Sequence, residues 1–105
     1  MRKPSVKCAL LAAMIAEHRW GSPIAEENLL SISAIEPSDY PTASELFDEL
    51  RNEEYITSTG SRGIMLNNGE FGALADVLYD ECEWEPFEIW SRLKHYEGWN
   101  QHEWA

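Results

Sequence analysis

The sequence predicts a small α+β domain that is mostly helical and carries one short two-stranded hairpin. Three observations predict it. Apolar residues recur at three- and four-residue spacing in five separate stretches, the mark of amphipathic helices. One stretch differs: Tyr-Ile-Thr-Ser-Thr from position 55, then Gly-Ser-Arg-Gly, then Ile-Met-Leu-Asn, with strand-forming residues on both sides of a glycine-rich turn. The composition, 44% hydrophobic and 11% aromatic over 105 residues, is too apolar for a disordered acidic tail. A length near the lower end of the roughly 100–200 residues per domain leaves room for one core. A chain of this size buries about 65% of the surface exposed on unfolding, enough to fold without staples.

A first helix is expected over residues 5–18. Val6, Leu10, Leu11, Met14 and Ile15 form a broad apolar face, and the intervening alanines permit close packing. Gly21 is the expected helix stop, and Ser22-Pro23 fit the N-cap and first turn of a second helix over residues 23–33. That helix turns Ile24, Leu29, Leu30 and Ile32 inward. Two prolines in residues 35–41 predict a loop. A third helix follows, capped by Thr42 or Ser44. Ala43, Leu46, Phe47 and Leu50 face the core; Glu45, Asp48, Glu49, Arg51 and Asn52 face outward. The hairpin comes next, closed by Asn67-Asn68-Gly69. A fourth helix over residues 70–83 places Phe71, Leu74, Ala75, Leu78 and Tyr79 on one stripe. Pro86 opens a fifth, with Phe87, Ile89, Trp90, Leu93 and Tyr96 as its stripe and Gly98 as its end. One domain therefore spans 1–105: a core over 5–67, a helical extension over 68–98, and a less ordered tail over 99–105.

The two cysteines, Cys8 and Cys82, stand 74 positions apart with no CxxC spacing, so neither a zinc ribbon nor a disulfide-dense secreted scaffold is expected. Cys8 lies in an apolar run and reads as a small buried hydrophobe. Arg2-Lys3 ahead of the apolar run 8–16 has the outline of a signal peptide, but no A-x-A site follows it. Nine apolar residues also fall short of the roughly 18 a membrane span needs. The run reads as a core helix, and the cytoplasm as the compartment.

Charge divides the chain. Residues 1–35 hold four bases and three acids, whereas residues 36–105 hold four bases and sixteen acids; the whole carries a net charge of −11. A generic basic nucleic-acid binder is disfavoured. Such an excess of carboxylates with three lysines suggests a halophilic source, where molar salt shortens the Debye length to about 3 Å. A dedicated acidic face is the competing explanation.

The order helix, helix, turn, helix, hairpin over about residues 6–67 resembles the winged helix-turn-helix family. The stretch Thr42-Ala-Ser-Glu-Leu-Phe-Asp-Glu-Leu-Arg-Asn-Glu-Glu-Tyr-Ile56, followed by Thr57 to Leu66, carries the resemblance. It is similar to a recognition helix feeding apolar positions into the core and running into the first strand of a wing. The resemblance implies double-stranded DNA as partner, a role in transcription regulation, and a frame extended here by two C-terminal helices. Carried over by position, Thr42, Ser44, Glu45, Asp48, Arg51 and Asn52 would face the major groove, with Ser61 and Arg62 at the wing tip. Arg62 is placed to reach a phosphate, and Arg51 or Asn52 a base edge. Arg2, Lys3 and Lys7 are further candidates for phosphate contact. Against this, segment 36–57 holds seven acids and one base, while duplex affinity ordinarily comes from Lys and Arg.

The alternative is a protein-interaction module on the same frame, an adaptor or an acidic mimic of DNA. Trp84, Phe87, Trp90, Tyr96, Trp99 and Trp104 concentrate aromatic anchors near the C-terminus, the material of a partner interface or homodimer. No catalysis, cofactor or metal is expected. His95, Glu97, His102 and Glu103 lack any zinc spacing, and Gly60-Ser-Arg-Gly63 lacks the Gly-Lys-Ser/Thr ending of a phosphate loop. No G-x-S-x-G elbow is present.

Overall fold

In the computed structural model, which describes residues 2–96 and Trp99 apart from the Ser61 side chain, five α-helices and a two-stranded antiparallel sheet enclose one core. The α+β expectation holds. Helix α1 (Lys3–Ala16) buries Val6, Leu10, Leu11, Met14 and Ile15, the face its spacing predicts. It ends earlier than expected, and His18 rather than Gly21 ends it. His18 takes a left-handed φ of 55°, its N–H donates to Ile15 O at 3.1 Å, and Arg19 N–H donates to Met14 O at 3.0 Å. These two bonds satisfy orphan carbonyls as a Schellman turn does, with a non-glycine residue at the left-handed position.

The segment after α1 departs most from expectation. Pro23 does not open a helix, because Ile24 is paired with Ile64: Ile24 N–H donates to Ile64 O at 2.8 Å, and Ile64 N–H to Ile24 O at 3.1 Å. Leu66 N–H donates to Arg19 O at 2.7 Å, beside a second bridge between Trp20 and Leu66. Helix α2 (Glu26–Ile32) therefore begins later; it buries Leu29 and leaves Ile32 44% exposed instead of inward.

The expected loop over 35–41 is a 3-10 turn (Pro37–Asp39) running directly into α3 (Tyr40–Leu50), with Pro41 in the first turn. Thr42 and Ser44 consequently lie inside α3 and cap nothing. Ala43, Leu46, Phe47 and Leu50 are buried, so the predicted phase of this helix is correct. Strand β1 (Ile56–Ser58) pairs with β2 (Ile64–Leu66) in the register Ile56 to Leu66, Thr57 to Met65 and Ser58 to Ile64. The tip is a second 3-10 turn (Gly60–Arg62). Strand β2 thus lies between β1 and the extended segment 19–24.

Helix α4 (Phe71–Asp80) buries Phe71, Leu74, Ala75, Val77 and Leu78; Tyr79, expected on that stripe, is 49% exposed. Helix α5 (Pro86–Leu93) is shorter than expected and buries Ile89 and Leu93 alone. Its expected stop, Gly98, and the tail beyond Trp99 lie outside the described residues. Trp99 belongs to the core rather than to a loose tail: it is 4% exposed and meets the Phe71 ring edge-on at 6.0 Å.

Cys8 is not a free buried thiol. It forms a disulfide with Cys82, two residues past the end of α4, with the Cα atoms 5.5 Å apart. The wide sequence separation hid a pairing that depends on α4 returning alongside α1. The disulfide counts against the expected cytoplasmic location, since disulfides persist mainly in oxidising compartments. No helix among the described residues is long and apolar enough to cross a membrane.

Candidate functional site: the α3 face and the wing

Arg51 organises this surface. It follows α3 immediately, and its guanidinium donates to Ser58 Oγ at 2.8 Å and to Gly60 O at 3.2 Å. It also lies 5.1 Å from the Phe47 ring centroid and 3.9 Å from Asp48. The end of α3 and the tip of the wing are thereby held as one ridge. A planar five-donor fork suits this role, and donors spent on the wing are not available to a base edge. Both bonds come from Nη1, which holds the guanidinium against the wing.

The hairpin root depends on Gly63. Its φ of 112° lies where side chains are strained, and a Cβ there would stand 2.0 Å from Ile24 O. Only hydrogen at this position lets the segment carrying Ile24 approach β2. The composition of the turn pointed to a hairpin, but not to this tertiary contact.

The remaining expected DNA-facing residues separate into groups. Ser44, half-buried, donates from Oγ to Glu26 Oε1 at 3.1 Å and so ties α3 to α2. Thr42 is half-buried; Glu45 is exposed, and the Asp48 side chain is 77% exposed. Asn52 is exposed and borders an open groove of about 440 Å³ with Lys3, Lys7, Leu46, Leu50 and Glu53. Arg62 is exposed at the wing tip, and the Ser61 side chain is outside the description. Of the residues expected to face DNA, Glu45, Asp48, Asn52 and Arg62 are thus exposed, and Arg62 is the cation among them.

Lys3 and Lys7 have carboxylate partners: Lys3 Nζ is 3.2 Å from Glu49, and Lys7 Nζ is 3.1 Å from Glu81. Burial of Lys7 opposes its charge, but its bond to Glu81 and its proximity to Tyr55 outweigh that and raise its pKa. Burial raises the Tyr55 phenol in turn, with the Lys7 charge acting the other way. No local spacing signals this cluster, because its members come from α1, the residue before β1 and the end of α4.

The expected aromatic interface also divides. Phe87 is 74% exposed and Trp90 40% exposed, their rings 5.9 Å apart, with Lys94 Nζ 3.8 Å from the Trp90 centroid. Trp84 is half-buried beneath Arg92. Tyr96 and Trp99 are not surface anchors: Tyr96 stacks on Trp20 at 3.9 Å and hydrogen-bonds His18 Nδ1, while Trp99 lies in the core. Burial raises the Tyr96 phenol pKa. Among the described residues, no group of three His, Cys, Asp or Glu side chains is arranged to hold a metal ion. Glu97, His102, Glu103 and Trp104 lie outside those residues.

No protein-family model, no curated protein and no solved structure matches this chain.

Proposed function

We propose that the chain is a winged-helix, DNA-associated regulator without catalytic activity, contacting duplex through the ridge formed by α3 and the wing. The observation that supports it best is the pairing of segment 19–24 with β2 on the side away from β1. It yields the order helix, extended segment, helix, helix, hairpin, with Arg51 joining α3 to the wing as a rigid reading edge. Charge defines the mode of contact: the wing-tip Arg62 takes a phosphate, and shape and polar contacts supply the rest at high ionic strength. Phe87 and Trp90 anchor a homodimer on this reading.

The test is fluorescence anisotropy of a labelled mixed-sequence duplex across a KCl series. Neutralising one or two phosphates gives a log–log salt slope of about −1 to −2, and Arg62→Gln reduces its magnitude by about 1. Absence of binding at every salt concentration overturns the proposal. The second reading, a protein-interaction module, is favoured by the exposed carboxylates of Glu45 and Asp48 on α3 together with exposed Phe87. It predicts no duplex binding and a protein partner for that acidic ridge.

A further inference from the structure

The backbone contacts are spread unevenly over the single core. Helices α1, α2 and α3 pack closely on one another and α1 also touches β2, whereas α4 packs most closely on α5. Side chains join the α4–α5 pair to the three-helix frame. At one end Tyr96 meets His18 and Trp20; at the other, two links stand side by side, Lys7 with Glu81 and Cys8 with Cys82. Directly after Cys82, Glu83 holds a left-handed φ of 59°, a conformation unfavourable for a non-glycine residue. The Lys7–Glu81 pair is partly exposed and is a weak tie alone. Of these two links the covalent one is the stronger, and both cysteines are partly exposed.

We propose that the Cys8–Cys82 disulfide is a redox-cleavable clamp that keeps the α4–α5 pair closed on the α1–α3 frame. A dithiol reductant opens it: one of its thiolates attacks a cysteine sulfur, the Cys8–Cys82 bond breaks, and a mixed disulfide forms. The second thiol of the reductant resolves that intermediate. Two electrons and two protons pass to Cys8 and Cys82, and the reductant leaves as its own disulfide. With the frame folded, the link closes only the chain from the end of β2 to Cys82, a loop of roughly 15 residues. Removing it makes separation of the pair about 100-fold more frequent. The transient opening uncovers Leu74, Leu78, Ile89 and Leu93, now wholly buried. This inference stands independently of DNA binding.

Amide hydrogen exchange of the full chain tests it, comparing the oxidised protein, the same protein in excess dithiothreitol, and Cys8→Ser/Cys82→Ser. The expected result is about 100-fold faster exchange across residues 71–80 and 86–93 in the reduced protein and the variant. Residues 40–50 and 64–66 keep their protection within a few-fold. Equal acceleration in all four segments, including outright unfolding on reduction, overturns the proposal by making the molecule one cooperative unit. Unchanged exchange in α4 and α5 overturns it equally.

Discussion

Replacing Gly63 with alanine probes the junction on which the winged-helix reading rests. A Cβ at this position would meet Ile24 O at 2.0 Å, Ile24 C at 2.5 Å and Ala25 N at 2.9 Å, all of them backbone atoms. No rotamer relieves such a clash, so segment 19–24 must withdraw from β2. Withdrawal breaks the paired bonds between Ile24 and Ile64, at about 1 kcal/mol each. The alanine also retains a φ of 112° with ψ near −148°, a region costing about 1–3 kcal/mol outside glycine. The sum is a loss of about 3–5 kcal/mol. Gly60→Ala is the matched control, because Gly60 has a φ of 67° but nothing within 4 Å of its added Cβ. Its cost is about 1–2 kcal/mol, from left-handed backbone alone. Urea unfolding followed by tryptophan fluorescence measures both. Equal costs for the two variants, or a Gly63→Ala cost below about 1 kcal/mol, would refute the close approach of Ile24 to β2.

Three other outcomes are expected. Arg51→Ala removes the bonds to Ser58 and Gly60; because the side chain is 31% exposed, the expected loss is about 1–2 kcal/mol. The wing amides should shift with it, and a change in DNA affinity without either effect would make Arg51 a contact residue instead. Lys7, Tyr55 and Tyr96 all have raised folded-state pKa values, so their contribution to stability is intact below pH about 10 and is lost as pH rises through those values. Chemical denaturation at pH 8 and pH 11 checks this, with equal stability at the two the contrary result. If the acidic surface is an adaptation to salt, the melting temperature climbs steadily from millimolar to molar KCl; a flat or falling trend removes the halophilic explanation.

The parts of this structure written in local spacing were legible in the sequence. The burial of Ala43, Leu46, Phe47 and Leu50 follows from helical phase, and the hairpin from strand-forming residues around a glycine-rich turn. What escaped depended on distant partners. Ser22-Pro23 resembles a helix start, but the backbone of Ile24 is claimed by Ile64, forty residues on, and α2 begins at Glu26 instead. His18 ends α1 without the glycine that would signal it. Cys8 and Cys82 carry no spacing signature, and only the return of α4 brings them together.

The site was legible to the same degree. Helical phase turns Arg51 outward, yet its hydrogen bonds to the wing depend on a carbonyl of the 3-10 tip that no helix periodicity anticipates. Trp99 follows Gly98 and so has the sequence setting of an interface anchor, whereas contact with Phe71 draws it into the core. Phe87, on the other hand, lies on the predicted stripe but faces solvent, since α5 buries a narrow face at Ile89 and Leu93.

Backbone amide chemical shifts recorded during titration with a mixed-sequence duplex, at low and at molar KCl and with the fold verified at each, test the central proposal most directly. The account predicts shifts concentrated in residues 42–52 and around Arg62. Amides that stay still there at both salt concentrations would contradict it and direct the search to a protein partner.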